Sequence, residues 1–566
     1  MLKYSKSLKE QEETVMRNTV HFDHWLPRVP KTLTVPETTL FDNLLMTVQK
    51  YPDKVAIEYY GASMTYSKLL DEVEKLAGYL ESKLNIQKGE NVLLFMQNSP
   101  QFIISMFAIL RIRAVVVPIN PMSITSELEF FVEDGNIKHA LIGQELYEKT
   151  AAPLVENKVL EQPIIAAYSA YTNPDEALGD IPEEVQMSAE DYSNAVLWSD
   201  VMKASTKVSA YSGKSSDTAV IPYTSGTTGI PKGCIHTNKT IQANVFSAYF
   251  WMSLTPDSVP LTTLPLFHVT GVLHSALAPI LAGSKMVLLT RWDRDYAVKA
   301  IEKFRCTDWI NISTMLIDFL SNPELSRYDI SSLGIVGGGG APVPEAVGRQ
   351  LTELTGLEYV EGYGLSETMS HTHFNPPQRP KLQCFGVPAF DVDARVIDPS
   401  TNKELGANEE GELIVNGPQL FKGYYNRPKE TEESHMTIDG KSFFRTGDIV
   451  KMDEEGYFFI VDRLKRMINA SGYKVWPTEV ESILFKHPAI QQACVVRKED
   501  PKRGETVKAL VILNDDYKNH VTEKEIIEWS KDQMAAYKYP RTVEFRESFP
   551  TTASGKVLWK KLQEEV

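Results

Sequence analysis

A glycine-rich segment that contains one lysine is the most distinctive chemical pattern in this 566-residue sequence. It runs from Tyr223 to Gly233 and reads Tyr-Thr-Ser-Gly-Thr-Thr-Gly-Ile-Pro-Lys-Gly. Glycines expose backbone N–H groups, hydroxyl side chains add hydrogen-bond donors, and Lys232 supplies a positive charge. These groups predict a cradle for a polyphosphate. A flexible linker is the alternative, but the segment lies between an apolar strand pattern and a helical pattern from Asn238, which favours the cradle.

This loop differs from the phosphate loop of common ATPases and kinases. A Walker A motif ends in Gly-Lys-Ser/Thr, whereas here Pro231 precedes Lys232 and Gly233 follows it. The sequence therefore argues against a P-loop ATPase or kinase.

The composition is that of a soluble globular protein and limits the function classes. Hydrophobic residues make up 43% and charged residues 23%, and the net charge of −15 disfavours binding to nucleic acids. Residues 1–19 lack the apolar core of a signal peptide, and the apolar run at 102–110 is shorter than the roughly 20 residues of a membrane span. The cysteines lie far apart, which favours a reducing cytoplasm over a zinc site. They are Cys234, Cys306, Cys384 and Cys494.

Alternating strand and helix patterns predict an α/β fold that would position the loop. Buried strand patterns at 91–95 and 115–118 flank a helical pattern at 100–111, which is the spacing of a parallel β-α-β unit. Similar alternation recurs around Ile221, Leu264, Val287 and Ile335, as in large α/β domains. The polar, acidic stretch at 172–216 is expected to be a surface excursion.

The same patterns predict a large domain followed by a small one. An extended lead-in at 1–38 precedes a large domain at 39–462, whose segment at about 386–457 has the short alternating strands of a β-rich subdomain. A basic connection at 463–466 leads to about 100 residues of mixed pattern at 467–566, which is enough for a separate α+β domain.

Six further segments, together with the glycine-rich loop, resemble the motifs of the adenylate-forming superfamily in their usual order. That superfamily includes acyl-CoA synthetases, firefly-type luciferases and the adenylation domains of peptide synthetases. The segments are Pro265–His268, Gly338–Pro342, Tyr363–Thr368, Arg445–Asp448, Asp462–Arg463 and Thr551–Lys556. The resemblance covers nearly all of the chain from Thr39 onward, and bacterial medium- and long-chain fatty acid–CoA ligases are the most similar branch. It implies a large AMP-binding domain and a small mobile C-terminal lid.

The resemblance implies an ATP and AMP site made of many residues. Its members are Thr224, Ser225, Gly226, Thr227, Thr228, Gly229, Lys232, Gly339, Gly340, Ala341, Pro342, Glu361, Gly362, Tyr363, Gly364, Leu365, Ser366, Thr368, Asp448, Arg463 and Lys556. Tyr363 offers an aromatic face for adenine, with core packing as its alternative role. The Asp448 carboxylate suits both ribose hydroxyls, and Arg463 can reinforce the contact.

Adenylation brings two anions together, the substrate carboxylate and the α-phosphate of ATP, so cations are required. The expected catalytic residues are Lys232, His268, Glu367 and Lys556. Glu367 is expected to bind Mg²⁺, which prefers oxygen ligands; a structural charge at a helix N-terminus is its alternative role. By resemblance, the Thr224 hydroxyl is a second metal contact. By resemblance, Lys556 reaches the carboxylate and α-phosphate oxygens.

Thiol transfer then needs the small domain to rotate away. By resemblance Lys465 is the hinge residue, and Ser471, Gly472 and Tyr473 line the pantetheine channel of CoA. A linker that is basic only for solubility is the alternative. Because only ten residues follow Lys556, no fused carrier domain is expected. CoA is therefore the expected acceptor, with a standalone acyl carrier protein as the other.

The substrate prediction depends on the segments expected to line the acyl pocket. Segments 267–273, 309–316 and 336–338 are apolar and aromatic and place no Arg or Lys deep in the pocket, which argues against a dicarboxylate. Residues 24–31 and 63–66 resemble those of bacterial fatty acid–CoA ligases more than those of acetate-specific enzymes, which favours a medium- or long-chain fatty acid over acetate. An aryl or other carboxylic acid is the nearest alternative. The other classes are a luciferase-like adenylate oxidase and a non-catalytic binder, although the intact charged residues argue against the binder. Peripheral membrane contact and a homodimer remain open.

The histidines give weaker signals. His268 lies in an apolar stretch, where simple packing is the alternative to positioning the carboxylate. His236, His274, His371 and His373 have no carboxylate or cysteine at metal-ligand spacing, and the sequence assigns them no role.

Overall fold

The computed structural model describes residues 19–25, 29–224, 230–340, 342–470, 473–500, 504–518, 520–551 and 557–566. By compactness they form a first unit, residues 19–393 with 416–442, and a second unit, residues 394–415 with 443–566. Both units mix helices and strands, so the predicted α/β fold class is confirmed. The predicted division of the chain at 463–466 stays a prediction.

A seven-stranded sheet forms the centre of the first unit. Its strand order is Val196–Leu197, Ile164–Ala166, His139–Gly143, Asn91–Phe95, Val115–Pro118, Thr218–Val220 and His236–Thr237. Neighbouring strands are parallel except for the last pair. The carboxyl end of Thr218–Val220 leads directly into the glycine-rich loop.

Two smaller sheets complete the described sheets of this unit. One has the order Leu261–Thr262, Met286–Leu288, Val55–Tyr59 and Ala62–Thr65. The other has the order Asp308–Asn311, Ile335–Gly339, Val360–Leu365, Ser370–Phe374 and Val387–Pro388. In the second of these, the first three strands are parallel and the last two are antiparallel, so the chain reverses sharply after Leu365.

Helices connect these strands. The α-helices are Leu40–Lys50, Tyr66–Ser82, Pro100–Arg111, Thr125–Asp134, Gln144–Leu146, Ala152–Glu156, Glu183–Gln186, Trp198–Lys203, Asn238–Trp251, Val269–Val272, Ala278–Ala282, Arg294–Phe304, Ser313–Leu320, Glu345–Thr355 and Pro428–Glu433. The 3₁₀ turns are Val20–His24, Tyr168–Tyr171, Pro174–Glu176, Leu325–Arg327 and Ser366–Thr368, the π turns are Tyr147–Ala151 and Leu273–Leu277, and one further strand is His435–Ile438.

The second unit holds two more sheets. The order of the first is Asp393–Ile397, Gly411–Asn416, Lys441–Met452 and Phe458–Arg463. The second has the order Tyr473–Val475, Ile468–Ala470, Gly504–Leu513 and Ile490–Asp500, with Thr542–Phe545 paired parallel to Gly504–Leu513. The helices are Pro477–Leu484, Glu523–Gln533 and Trp559–Glu564, and the 3₁₀ turns are Leu464–Arg466 and Asp515–Tyr517.

The predicted β-α-β unit forms as expected. The helix Pro100–Arg111 begins with Ser99 as its N-cap, whose hydroxyl accepts the Phe102 N–H at 3.1 Å, and proline occupies the first turn, where no N–H is needed. Every residue of this helix is buried. An apolar helix without a polar face belongs inside a large domain, which explains why 102–110 is not a membrane segment. Within the described residues, no helix combines the length and the apolar character that a membrane span requires.

Two stretches pack against the rest of the first unit more than the sequence predicted. Residues 196–197 of the predicted surface excursion pair with Ile164–Ala166, and the following Trp198 and Val201 are buried. Near the N-terminus, Val20–His24 is a 3₁₀ turn, and the Trp25 ring packs 5.0 Å from the Trp251 ring. The lead-in is therefore folded in part.

All four cysteines are buried. Burial raises the pKa of the Cys306 and Cys494 thiols to about 12 and also raises the pKa of Cys234 well above its ordinary value, so these thiols are protonated at neutral pH.

Gly338 and Gly340 are close in the chain but differ in the space available to a side chain. Alanine substitutions at these two positions therefore test how closely the neighbouring strands pack. A Cβ on Gly338 would lie 1.8 Å from the Asn311 carbonyl oxygen, whereas Gly340 has open space but a φ of +90°. We expect Gly338→Ala to destabilise the protein by about 4 kcal/mol or more, and Gly340→Ala by only about 1–2 kcal/mol. Thermal unfolding of both variants measures this, and equal losses would contradict the register of these strands.

Candidate active site

Hydrogen bonds join the two ends of the glycine-rich loop. The Thr224 N–H donates to the Lys232 carbonyl at 2.9 Å, and the Lys232 N–H donates to the Thr224 hydroxyl oxygen at 3.3 Å. Tyr223 and Gly233 form an antiparallel bridge just outside this pair. Ser225, Gly226, Thr227, Thr228 and Gly229 lie outside the described residues, so the predicted phosphate contacts of those five residues stay predictions.

Tyr424 connects the loop lysine to the predicted metal ligand. The Lys232 ammonium lies 4.3 Å from the centroid of the Tyr424 ring, and the Tyr424 hydroxyl donates to Glu367 Oε1 at 2.7 Å. Burial, together with the negative charge of Glu367, raises the pKa of Tyr424, so its hydroxyl keeps the proton that it donates. Sequence reasoning missed Tyr424, which lies 57 residues from Glu367 along the chain.

Glu367 and Thr224 fit the chemistry of a magnesium ion. Both offer the hard oxygen ligands that Mg²⁺ prefers, a carboxylate and a hydroxyl, and both side chains are only half-buried. Among the described residues, no group of three or more His, Cys, Asp or Glu side chains could hold a metal by itself. A cation at Glu367 would therefore complete its shell with phosphate oxygens and water, which is the usual arrangement for Mg²⁺.

A tight reversal carries Glu367 and Thr368. The strands Val360–Leu365 and Ser370–Phe374 pair so closely that a Cβ on Gly364 would lie 1.7 Å from the Ser370 carbonyl oxygen. The buried Thr368 hydroxyl accepts the Leu365 N–H at 2.9 Å and is 2.6 Å from the Ser370 carbonyl. The Thr368 side chain thus braces the turn, and its α-phosphate contact stays a prediction, as do those of Leu365 and Ser366.

Glu361 braces the opposite wall of the predicted adenine site. Its buried carboxylate accepts the N–H groups of Gln383 at 3.1 Å and Val343 at 3.3 Å. The second contact holds the chain that follows Gly339, Gly340 and Pro342, while Ala341 lies outside the described residues. Burial raises the pKa of Glu361 to about 7. Its side chain supports the backbone here rather than projecting freely.

Tyr363 and His268 present surfaces that small molecules can reach. The Tyr363 ring is half-buried and lies 4.6 Å from the Phe385 ring, and Gly362 and Gly364 flank it. His268 caps the helix Val269–Val272, where Nδ1 accepts the Thr270 N–H at 3.3 Å. Its side chain is exposed, so simple core packing does not explain His268.

The second unit holds the predicted ribose pair. Asp448 and Arg463 are register partners on neighbouring antiparallel strands, and Arg463 Nε lies 2.5 Å from Asp448 Oδ1. The Asp448 side chain is fully buried, and its N–H donates to the Thr446 hydroxyl at 3.1 Å. The neighbouring Gly447 has a φ of +71°, a left-handed conformation that favours glycine. A buried carboxylate beside a guanidinium is well suited to bind a diol.

Asp462 and Arg466 have structural roles that the sequence did not reveal. Asp462 Oδ2 accepts the Thr478 N–H at 2.7 Å, at the start of the helix Pro477–Leu484. Arg466 forms a buried ion pair with Glu481, and its guanidinium lies 5.6 Å from the Trp559 ring. Lys465, the predicted hinge residue, is exposed in the 3₁₀ turn between them.

Three predicted residues of this unit, Ser471, Gly472 and Lys556, lie outside the described residues. The backbone of Tyr473 begins the strand Tyr473–Val475. The CoA and lysine roles therefore stay predictions.

The comparison with family models identifies the class of protein. The model of the AMP-binding enzyme family matches residues 44–425, and the model of the AMP-binding enzyme C-terminal domain matches residues 479–556. The chain belongs to the AMP-binding enzyme family, which confirms the resemblance and the adenylate-forming fold.

Particular relatives support the same assignment along the whole chain. A long-chain-fatty-acid–CoA ligase of Bacillus subtilis (strain 168) is 35% identical over 546 residues, covering 95% of this chain and 96% of the relative. A feruloyl-CoA synthase of an Amycolatopsis species is 30% identical, covering 90% and 95%. The ATP-bound structure of MatB from Rhodopseudomonas palustris superposes with a TM-score of 0.81 at 26% identity, covering 94% and 99%.

Glu361 predicts a specific dependence of stability on pH. Its pKa in the folded protein is about 7, against an ordinary value of 4.5, so the folded state binds the proton more tightly than the unfolded state. As the pH rises through this window, the wild type should lose up to about 1.4 kcal/mol per pH unit from this group. Glu361→Gln should remove that loss. The free energy of unfolding of the variant should therefore rise relative to that of the wild type between pH 5 and pH 8.

Urea unfolding at each pH measures this difference. The exposed Glu129→Gln is the matched control and should follow the wild-type profile. Parallel profiles for Glu361→Gln and the wild type would contradict the assignment.

Proposed function

We propose that this chain is an ATP-dependent, AMP-forming acyl-CoA synthetase that converts a long- or medium-chain fatty acid to acyl-AMP and then to acyl-CoA. The main support for the proposal is that Tyr424 contacts both Lys232 and Glu367 at the base of the glycine-rich loop. It combines a cation for phosphate with a carboxylate for a metal. The relatives named as CoA ligases support the acid–thiol ligase class.

The first half-reaction joins the acid to ATP. A carboxylate oxygen of the acid attacks the α-phosphorus, and the bond to the leaving pyrophosphate breaks. Lys232 and the backbone N–H groups of the loop stabilise the phosphate charge in a site that restricts water. When bound by Glu367 and Thr224, Mg²⁺ supplies further neutralisation of the phosphate oxygens. His268, exposed at a helix start, positions the substrate carboxylate.

Tyr363 and Asp448 position the nucleoside. The half-buried Tyr363 ring offers a face for adenine, and stacking of this kind is worth about 1–3 kcal/mol. Asp448 forms an ion pair with the neighbouring Arg463, and its carboxylate oxygens can accept hydrogen bonds from the ribose hydroxyls.

The second half-reaction transfers the acyl group to the thiol of CoA and releases AMP. Rotation about Lys465 removes Lys556 from the reacting atoms and brings the segment Ser471–Tyr473 to the pantetheine arm. Arg466 supports this assignment, because its ion pair with Glu481 anchors the chain immediately after the hinge. We place the reaction in the cytoplasm, in agreement with the four buried cysteines.

Pyrophosphate release across a panel of acids tests the substrate proposal. We expect the highest kcat/KM between octanoate and palmitate, and at least tenfold lower values for acetate and benzoate, because apolar surface that the chain buries adds binding free energy. Ferulate is the informative comparison, since one relative is named for it. A flat response to chain length would remove the fatty acid assignment, and a preference for ferulate would replace it.

Two variants test the alternation between half-reactions. Lys556→Ala should slow acyl-AMP formation by about 10²–10⁴-fold and leave the reaction of supplied acyl-AMP with CoA nearly unchanged, since its charge is needed only for adenylation. Lys465→Pro should show the reverse pattern, because it restricts the hinge. Single-turnover measurements of each step resolve the two. Equal losses in both steps for either variant would contradict the alternation.

A further inference from the structure

The helix Asn238–Trp251 places a row of polar side chains against the reversal that carries Glu367. Thr240, Asn244, Ser247 and Trp251 are spaced four, three and four residues apart, so they share one face of the helix. Ser247 Oγ lies 2.8 Å from His371 Nε2, and the Trp251 indole N–H donates to the Asn375 carbonyl at 2.9 Å. All four side chains are buried, so the contacts that Asn244, Ser247 and Trp251 make with the 366–375 segment are shielded from water.

Asn244 makes the densest contact of this row. Its Nδ2 lies 2.8 Å from the Thr368 carbonyl oxygen, 2.9 Å from that of Met369 and 2.9 Å from that of His371. The side chain is 2% exposed. Three backbone carbonyls therefore converge on one amide nitrogen, whose two hydrogens are shared among the three oxygens.

The convergence of these carbonyls follows from the backbone of the turn. Met369 has a φ of 45° and Ser370 a φ of 83°, which is the left-handed region that side chains other than glycine rarely adopt. Such a conformation persists only where its surroundings hold it in place. The Asn244 amide is positioned to do this, directly after Glu367 and Thr368.

His236 fixes the other end of the same segment. Its Nε2 lies 2.8 Å from the Ser366 carbonyl, which can only accept, so Nε2 carries the proton. The ring is fully buried. His236 and Asn244 thus hold Ser366 and Thr368 on either side of Glu367, the first from the strand that precedes the helix and the second from the middle of the helix.

We propose that Asn244 is a positioning residue for Mg·ATP: by holding the left-handed turn at Met369–Ser370, it directs the Glu367 carboxylate toward the cation. The proposal rests on the ATP and magnesium roles proposed above for Glu367. Without the amide, the three carbonyls lose their common donor and the turn relaxes. The orientation of Glu367 then changes while the glycine-rich loop stays intact.

Gln242 provides a matched control on the same helix. It is also a fully buried amide, and its Nε2 lies 3.0–3.1 Å from Thr38 Oγ1, the Thr39 carbonyl and Asn43 Oδ1. These partners belong to the beginning of the unit and not to the 365–375 segment. Gln242→Ala therefore removes comparable hydrogen bonds at a comparable depth, but it leaves the turn untouched.

The experiment measures ATP binding by calorimetry, with and without Mg²⁺ and in the absence of any acid, for the wild type, Asn244→Ala and Gln242→Ala. We expect Asn244→Ala to weaken ATP binding at least tenfold with Mg²⁺ and less than threefold without it. Gln242→Ala should match the wild type in both conditions despite a similar loss of thermal stability. Steady-state kinetics should show a raised KM for Mg·ATP with the KM for the acid unchanged.

Equal effects of the two variants on Mg·ATP binding would overturn the proposal and leave Asn244 as a residue of the core. If Asn244→Ala does not fold, Asn244→Ser retains one donor and should weaken Mg·ATP binding to an intermediate degree; unchanged binding would likewise overturn the proposal. A wild type that binds Mg·ATP but forms no acyl-AMP would refute the proposed function alone, because the binding comparison needs no acid.

Discussion

Crowding of backbone carbonyl groups at the reversal after Leu365 constrains the first unit more than any other local feature. The close approach of the two strands requires glycine at 364, and Met369 and Ser370 then adopt left-handed conformations. The carbonyl oxygens of Thr368, Met369 and His371 all face the Asn244 amide nitrogen, which lies on a neighbouring helix. The backbone that follows Glu367 is therefore held by a side chain from a distant part of the chain.

Elements with a local signal could be predicted from the sequence. Continuous apolar runs form the strands Asn91–Phe95 and Val115–Pro118 and the helix between them. Their burial can therefore be predicted from consecutive residues. Glycines and a lysine in fixed order likewise marked the loop after Thr218–Val220, whose binding of phosphate stays a prediction. In contrast, the two-residue strand Val196–Leu197 has no periodicity of its own and exists only because Ile164–Ala166 offers an edge to pair with.

The supporting residues of the site could not be predicted, because their partners are distant in the chain. His236 bonds a carbonyl 130 residues away, and Asn244 bonds carbonyls at least 124 residues away. A buried histidine without a nearby carboxylate gives no sign of such a bond in the sequence. Asp462 shows the opposite case. Its place beside Arg463 matches a ribose motif, yet its own carboxylate accepts a backbone N–H at the start of a helix, so not every residue of a motif need contact a ligand.

The burial of all four cysteines has a practical consequence for observing motion in this enzyme. Thiolate is the reactive form, and thiols that are at most 2% exposed react slowly with maleimides; burial also raises the pKa of Cys306 and Cys494 to about 12. Cysteines introduced at exposed Met122 in the first unit and at exposed Lys531 in the second would therefore be labelled with fluorophores, while the native cysteines stay largely unlabelled. Energy transfer between the two dyes would report any change in the distance between these positions during turnover, in single molecules of otherwise native sequence.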